Sequence, residues 1–147
     1  MTKIRVTKEF RFEGAHALKD YDGKCKHIHG HSYILYVTIM GEPLDDLNSA
    51  KNVMVIDFSI LKQIVNENIV KKLDHALLLR FDSPLIKELS ESYCNIVVTD
   101  FQPTCENLVI YISKLISDRL PEKISLHSIR LYETATSYVE WFAQDNL

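Results

Sequence analysis

The sequence predicts an α+β protein with a mainly antiparallel sheet and with helices packed on one face of that sheet. Strand-like patterns lie in pairs at both ends of the chain, where each pair can close into a hairpin. Two apolar stripes with helical spacing lie between these ends. Because the helices are grouped in the middle, this order favours helices segregated to one face over an alternating parallel arrangement.

The first part of the chain is predicted to form strands. Apolar residues alternate with polar ones over Lys3–Glu13, as in a half-buried strand, at Ile4, Val6, Phe10 and Phe12. Ser32–Met40 is dense in β-branched and aromatic residues and predicts a second strand, which ends at Gly41. A surface turn follows, and Val53–Asp57 predicts a short third strand.

Two helices follow from apolar residues at helical spacing. The first runs from Ser59 to about Leu73, with its stripe at Leu61, Ile64, Val65 and Ile69. The second has Thr104 as its N-cap, Glu106 in its first turn and Pro121 beyond its end. Its apolar stripe consists of Leu108, Val109, Ile112, Leu115 and Ile116.

Shorter elements complete the prediction. Between the two helices, Pro84–Ser92 predicts a short helix and Asn95–Asp100 a strand. The C-terminal part predicts a hairpin of Ile124–Glu133 and Tyr138–Ala143, with a turn near Ala135.

The composition is that of an ordinary globular protein. The chain has 147 residues, 46% hydrophobic and 25% charged, and we expect one domain over residues 1–147. A net charge of −3 argues against general nucleic-acid binding, and no apolar run approaches the roughly 20 residues of a membrane span. The odd number of cysteines indicates reduced thiols in a cytoplasmic protein, at Cys25, Cys94 and Cys105.

Three histidines are the candidate metal ligands. His29 and His31 are two residues apart at the start of the second strand, so their side chains leave the same face. His16 follows the first strand, and a hairpin of the two strands would bring it to the same end. Three histidine ligands leave one coordination position open, as in catalytic zinc sites.

Cys25 offers an alternative interpretation of this cluster. Were Cys25 a fourth ligand, the site would be closed and structural, and the local sequence leaves this question open. A cysteine near a metal and a histidine could instead act as a base or nucleophile. His27 ranks below the other histidines as a ligand, and His127 is more typical of a packed or exposed histidine.

Two further features have both an ordinary and a functional interpretation. The dipeptide Asp74-His75 is more typical of exposed polar residues, although an Asp can fix the tautomer of a neighbouring His. Glu133 lies on the apolar side of its strand, where a heterocycle with paired N–H donors would satisfy it. Without further information, the sequence favours a Glu133 that is exposed to water at the end of its strand. Glu106 is likewise explained as a favourable negative charge at a helix N-terminus.

Six short motifs in this order resemble the 6-pyruvoyl-tetrahydropterin synthase / 6-carboxytetrahydropterin synthase family. Together they span nearly the whole chain, and their order is far more specific than any one of them. They are Phe12-Glu13-Gly14-Ala15-His16; Gly23-Lys24-Cys25 with His29-Gly30-His31-Ser32; Val55-Ile56-Asp57-Phe58; Leu73-Asp74-His75; Pro103-Thr104-Cys105-Glu106-Asn107; and Tyr132-Glu133-Thr134.

The resemblance implies a tunnelling fold (T-fold), in which an antiparallel four-stranded sheet carries helices on one face. It also implies a homo-oligomer, a trimer or a hexamer of stacked trimers, in which the subunits close into β-barrels. Active sites then lie at subunit interfaces, and the substrate is a pterin triphosphate.

The resemblance also implies a role for each candidate residue. His16, His29 and His31 match the zinc ligands, and Cys25 matches the catalytic cysteine rather than a fourth ligand. Asp74 and His75 match a catalytic pair that works with this cysteine across the interface. The pterin-binding residues are matched by Thr104, Glu106 and Glu133, of which Glu133 anchors the ring.

The spacing between Cys25 and His29 favours one branch of the family. The compact Cys-x₃-His-Gly-His pattern resembles the bacterial queuosine-pathway branch, whose members form 6-carboxytetrahydropterin from 7,8-dihydroneopterin triphosphate with loss of acetaldehyde and triphosphate. The alternatives are a 6-pyruvoyl-tetrahydropterin synthase, which keeps the side-chain carbons, and a non-catalytic zinc-stabilised binding protein.

Overall fold

A computed structural model describes residues 2–92 and 95–147 of the chain. Within these ranges the strands are β1 (Ile4–His16), β2 (His29–Gly41), β3 (Ala76–Arg80), β4 (Ile96–Thr99), β5 (Ile124–Thr134) and β6 (Ser137–Phe142). The helices are α1 (Phe58–Val65), α2 (Lys71–Leu73), α3 (Leu85–Leu89) and α4 (Cys105–Ser117). A π-helical turn (Asn66–Val70) joins α1 to α2, and 3₁₀ turns lie at Lys24–Lys26 and Ala143–Asn146.

The described strands form one six-stranded sheet in the order β4-β3-β1-β2-β5-β6. The pairs β1–β2, β2–β5 and β5–β6 are antiparallel, as predicted, and they form the four-stranded part that the resemblance implies. β3 and β4 extend it as parallel strands beside β1, so the four-strand prediction was too small. The predicted strand at 95–100 is β4, whereas β3 was not predicted.

The main core lies between the sheet and the helices α1, α2 and α4. Most of the predicted stripe residues of both helices are buried in it, together with the inward residues of β1, β2 and β5, whereas Ile64 and Leu115 are partly buried against it. The fully buried side chains include Leu35, Val37, Ile39, Leu61, Val65, Ile69, Ile112, Ile116, Ile129 and Leu131. The predicted packing of helices on one face is therefore confirmed for the two long helical segments.

The short helix α3 packs separately from this core. Leu77 and Leu79 of β3 form a second apolar cluster with Ala17, which Leu85 and Ile86 of α3 help to cover. Side chains alternate between the faces of a strand, and the neighbours Ala76 and Leu78 belong to the main core. Because β3 is apolar on both faces, it needs cover on both, and α3 supplies the second layer.

The predicted strand at Val53–Asp57 was wrong. Val53 has a φ of 65°, in the left-handed region that β-branched residues rarely adopt, and this ends any extended run. Its N–H donates to the Leu44 carbonyl (2.7 Å), and the Leu44 N–H donates to the Met54 carbonyl (2.9 Å). These bonds close a loop, and Asp57 at its end becomes the N-cap of α1.

The described residues agree with the absence of a predicted membrane span and with reduced cysteines. Among the described residues, no helix is long and apolar enough to cross a bilayer. Cys25 and Cys105 are free thiols, as expected for reduced cysteines, whereas Cys94 lies outside the described residues.

Candidate metal centre and adjoining clefts

The paired ends of β1 and β2 bring the three predicted histidines together. His16 and His29 are direct cross-strand partners, and His31 lies opposite Gly14. One ligand nitrogen from each histidine lies within 4.8 Å of the other two. Of the chain that the structure describes, this is the group of side chains that could hold a metal ion, and Cys25 does not belong to it.

Backbone carbonyls orient two of the imidazole rings. His16 Nδ1 lies 2.7 Å from the Pro103 carbonyl, and His29 Nδ1 lies 2.8 Å from the His27 carbonyl. A carbonyl oxygen can only accept, so Nδ1 carries the proton in both rings and each Nε2 presents a lone pair. These two Nε2 atoms are only 3.0 Å apart, a contact that two lone pairs favour only with a cation between them.

His31 completes the donor set. Its Nε2 is buried and has no hydrogen-bond partner among the described residues. Burial lowers the pKa of both His16 and His31, which favours the neutral imidazoles that bind metal. The chemistry of these three residues therefore fits a metal ion.

Two glycines let the strands approach closely beside the histidines. A β-carbon at Gly30 would lie 3.2 Å from the Gly14 carbonyl oxygen, and one at Gly14 would lie 3.2 Å from the Tyr33 ring. Both distances are tighter than ordinary contacts. Gly14 thereby leaves room for the Tyr33 ring, and Gly30 lets β2 lie close to β1 between His29 and His31.

A cleft of about 470 Å³ adjoins the histidines, and we call it the Cys25 cleft. Six residues from the sequence motifs line this cleft: His16, Cys25, Thr104, Cys105, Glu106 and Glu133. Cys25 is half-buried in the 3₁₀ turn, and its carbonyl accepts from the Leu18 N–H at 2.9 Å. Cys25 and Glu133 thus lie in the wall of a cleft large enough for a small molecule.

The Glu133 carboxylate lies between the histidines and the Cys25 cleft. Its Oε1 is 3.6 Å from His31 Nε2, and it lies on β5, next to β2 in the sheet. The predicted placement on the inward side of the strand agrees with this position. A half-buried carboxylate at the wall of a cleft can accept hydrogen bonds from a ligand that carries N–H groups.

Thr104 and Glu106 lie at the beginning of α4. The Thr104 hydroxyl accepts from the Asn107 N–H at 3.2 Å, which confirms it as the N-cap, and Glu106 lies in the first turn. Cys105 follows Thr104 but is buried, and burial, with Glu133 and Glu106 nearby, raises the pKa of its thiol to about 12. Cys105 is therefore protonated at neutral pH and unsuited to act as a base.

The side chains of Asp74 and His75 contact one another, although the sequence alone favoured two separate exposed residues. His75 Nδ1 lies 3.0 Å from Asp74 Oδ2, and Asp74 Oδ1 accepts from the Glu13 N–H at 2.8 Å. The Glu13 N–H, followed by His75, lowers the pKa of Asp74, so its carboxylate is ionised. An ionised carboxylate at this distance favours the proton on His75 Nδ1, which leaves Nε2 as the basic atom.

His75 lines a different cleft from Cys25. This His75 cleft has a volume of about 610 Å³, and its walls include Glu13, His31, Ser32, His75, Ser92 and Asn95. The His75 side chain is 77% exposed there. Within one chain, then, the structure brings the pair together with Glu13 but does not place it in the Cys25 cleft.

Sequence reasoning missed several contributors to these sites. The carbonyls of Pro103 and His27 orient the rings of His16 and His29, and Asn95 donates from Nδ2 to the His75 carbonyl at 2.8 Å. Backbone carbonyls carry no sequence signal, because every residue has one. His127 packs edge-on against Phe142, in agreement with its interpretation as a packed histidine.

Comparison with known proteins shows which family the chain belongs to. The family model described as 6-pyruvoyl tetrahydropterin synthase matches residues 5–144. A 6-carboxy-5,6,7,8-tetrahydropterin synthase of Haemophilus influenzae is 38% identical over 144 residues, covering 94% of this chain and 98% of that protein. The synthase of the same name from Rickettsia typhi is 32% identical over 141 residues, covering 93% and 99%.

Solved structures show the same fold. The 6-pyruvoyl tetrahydropterin synthase of Plasmodium vivax has a TM-score of 0.73 at 20% identity and covers 96% of this chain and 98% of that one. The Caenorhabditis elegans enzyme of that name has a TM-score of 0.67 at 24% identity and covers 97% of each chain. The fold is therefore the predicted T-fold, and the chain belongs to the 6-pyruvoyl tetrahydropterin synthase family.

Proposed function

We propose that this protein is a zinc-dependent 6-carboxy-5,6,7,8-tetrahydropterin synthase, a lyase. It would convert 7,8-dihydroneopterin triphosphate and one water molecule to 6-carboxytetrahydropterin, acetaldehyde and triphosphate, a reaction of queuosine biosynthesis. The observation that carries this proposal is the convergence of three histidine ring nitrogens beside a cleft containing Cys25 and Glu133. The names of the relatives from Haemophilus influenzae and Rickettsia typhi support the carboxy product.

His16, His29 and His31 would hold the zinc ion. An all-imidazole set suits zinc among the common divalent cations, and three protein ligands leave a position open for substrate. Zinc supplies a Lewis acid that lowers the pKa of a substrate hydroxyl. Since the two oriented rings already present their lone pairs, the chain holds this set preorganised.

Cys25 and the Asp74–His75 pair would move the protons. Cys25 would take a proton from the substrate side chain, since it lies in the cleft next to His16 without being in the ligand group. His75, held by Asp74 with Nε2 unprotonated, would accept or return a second proton. These proton transfers would tautomerise the substrate: a side-chain carbinol is oxidised to a carbonyl while the ring C=N bond is reduced by the same electron pair, so no nicotinamide is needed.

Glu133 would anchor the pterin ring, with Thr104 and Glu106 lining the pocket around it. Adjacent N–H groups on the pyrimidine edge of a pterin match the two oxygens of a carboxylate, and such charge-assisted pairs are strong. Glu133 lies close enough to His31 to hold a ring whose side chain points at the histidines.

The assembly would be a homo-oligomer, a trimer or a hexamer, of cytoplasmic single-domain subunits spanning residues 1–147. The separation of Cys25 and His75 into different clefts supports an active site shared between subunits. In that arrangement the His75 cleft of one subunit faces the Cys25 cleft of another, and barrels form by pairing of subunit sheets.

Incubation of the purified zinc-loaded protein with 7,8-dihydroneopterin triphosphate tests the proposal. We expect stoichiometric acetaldehyde and 6-carboxytetrahydropterin, detected by aldehyde derivatisation and by mass spectrometry. A chelator should abolish turnover, and added zinc should restore it. A reduced pterin that retains the side-chain carbons would indicate the pyruvoyl-forming reaction instead. Absence of turnover in protein with full zinc content would support the non-catalytic alternative.

A further inference from the structure

We propose that Asn95 is a positioning residue for the Asp74–His75 pair. It acts by holding the His75 backbone in the conformation that turns the imidazole ring onto Asp74. This inference rests on the proposed function, because it assumes that His75 moves a proton. Asn95 immediately precedes β4 and belongs to none of the six motifs.

The backbone of His75 is strained. Its φ is 58°, in the left-handed region that residues with a β-carbon occupy rarely. Such a conformation persists only where the surroundings hold it, and it is concentrated at functional sites. His75 also connects the end of α2 to the beginning of β3, so the strain lies between two fixed elements.

Two hydrogen bonds hold His75 on either side of this strained φ. Its N–H donates to the Glu13 carbonyl at 2.6 Å, which ties it to β1. Its own carbonyl accepts from Asn95 Nδ2 at 2.8 Å, which ties it to the start of β4. Asn95 is itself anchored, because its carbonyl accepts from the Leu77 N–H of β3 at 3.0 Å.

The strained backbone is what makes the side-chain contact possible. Neighbouring side chains on an extended strand point to opposite faces, so Asp74 and His75 would separate if His75 relaxed into β3. In the left-handed conformation, His75 Nδ1 lies 3.0 Å from Asp74 Oδ2. Asp74 cannot follow a moving ring, because its Oδ1 is held by the Glu13 N–H.

Asn95 is suited to this task because it acts on the backbone. Asn95 and His75 line the same cleft, yet the amide binds the carbonyl and leaves the ring accessible to substrate. The ring is largely exposed, so few packing contacts restrain it. Loss of the amide donor should therefore loosen the pair without changing the metal site or the Cys25 cleft.

Nitrogen-15 NMR of the histidine side chains tests this positioning without reference to activity. In the wild-type protein we expect His75 to be the Nδ1–H tautomer, with its signals identified by their absence from the His75→Ala spectrum. In Asn95→Ala we expect a mixture of tautomers. Aspartate has the same shape as asparagine but lacks the N–H donor, so Asn95→Asp should show the same mixture of tautomers. This variant shows that the change in Asn95→Ala comes from the lost donor and not from the lost side-chain volume.

Kinetics supply the second readout. Asn95→Ala should lower kcat roughly ten-fold with little change in KM, because misplaced acid–base groups slow chemistry more than binding. In a His75→Ala background, Asn95→Ala should have no further effect, since Asn95 acts through His75. Asn146→Ala is the matched control, because Asn146 Nδ2 makes an equivalent 2.8 Å bond to the Phe142 carbonyl in the C-terminal turn.

The outcomes separate this inference from the proposed function. An unchanged tautomer and kcat in Asn95→Ala, with an active wild type, would overturn the positioning role. A further loss of kcat in the His75→Ala background would also overturn it, since the effect would then be structural. An inactive wild type with a tautomer change in Asn95→Ala would refute the proposed function and still support the hold on His75.

Discussion

The location of Cys25 favours a role as a general base over a role as a metal ligand. Cys25 lies in the wall of the cleft with His16 but outside the three-histidine group. Cys25→Ala should therefore keep its zinc content while kcat falls about 10²-fold or more, the range of general base catalysis. Atomic absorption measures the metal, and acetaldehyde release measures turnover.

The matched control is a histidine from the ligand group. His29→Ala removes one of three converging nitrogens, so we expect it to lose both zinc and turnover. Loss of zinc from Cys25→Ala would instead make the cysteine a ligand and the site a closed, structural one. Retention of both zinc and activity would remove Cys25 from the mechanism.

The sequence predicted the convergence of the three histidines better than the contact between Asp74 and His75, for a physical reason. His29 and His31 follow the two-residue period of a strand, and His16 lies where a hairpin must bring it. The contact between Asp74 and His75 depends on a positive φ at His75, which no local pattern in the sequence indicates. Only the resemblance to a known family pointed to that pair.

The N-terminus of α1 is an element whose stability should depend on pH. Asp57 is its N-cap: the carboxylate accepts from the Ser59 N–H at 2.8 Å and pairs with Lys51. Lys51, followed by Ser59, lowers the pKa of Asp57 below its ordinary value of 3.8. The stabilisation is thus fully present above pH 3.8 and is lost as the pH falls through the lowered pKa.

Thermal unfolding of Asp57→Ala measures this contribution. At neutral pH the variant should have a lower Tm than the wild type, and the difference should shrink as the pH falls below 3.8. Asp118→Ala is the matched control, because it removes a carboxylate from the C-terminal end of a helix. Asp118 is the C-cap of α4, where a negative charge is unfavourable. That variant should not lose stability at neutral pH. A Tm difference that persists for Asp57→Ala in acid would show that the carboxylate charge is not its source.

The elements that sequence reasoning missed are those whose conformation depends on distant contacts. β3 is a short apolar run, which periodicity cannot distinguish from a buried helical segment, and its pairing with β1 is parallel and non-local. Val53 has the β-branched side chain of a strand but adopts a positive φ because Leu44 closes the loop around it. Strong local patterns, such as the stripe of α4, were predicted correctly.

At the scale of the whole molecule, the proposed chemistry is divided between two clefts of each subunit. Cys25 and the histidine His16 line one, and His75 lines the other together with Asn95. If neighbouring subunits bring these clefts face to face, each active site takes Cys25 from one chain and His75 from the next. Two impaired variants should then restore one another in a mixed oligomer.

Co-assembly of Cys25→Ala with His75→Ala subunits tests this division. Each variant alone should retain only a small residual turnover, whereas random mixing in equal amounts should restore about a quarter of the sites, because one intact residue must come from each side. Native mass spectrometry confirms that mixed oligomers form. The control is a mixture of His75→Ala with Asp74→Ala subunits, which should stay at that residual level because both changes damage the same contributed pair. Failure of the first mixture to recover activity, although mixed oligomers are present, would place Cys25 and His75 of one chain at the same site and refute the shared arrangement.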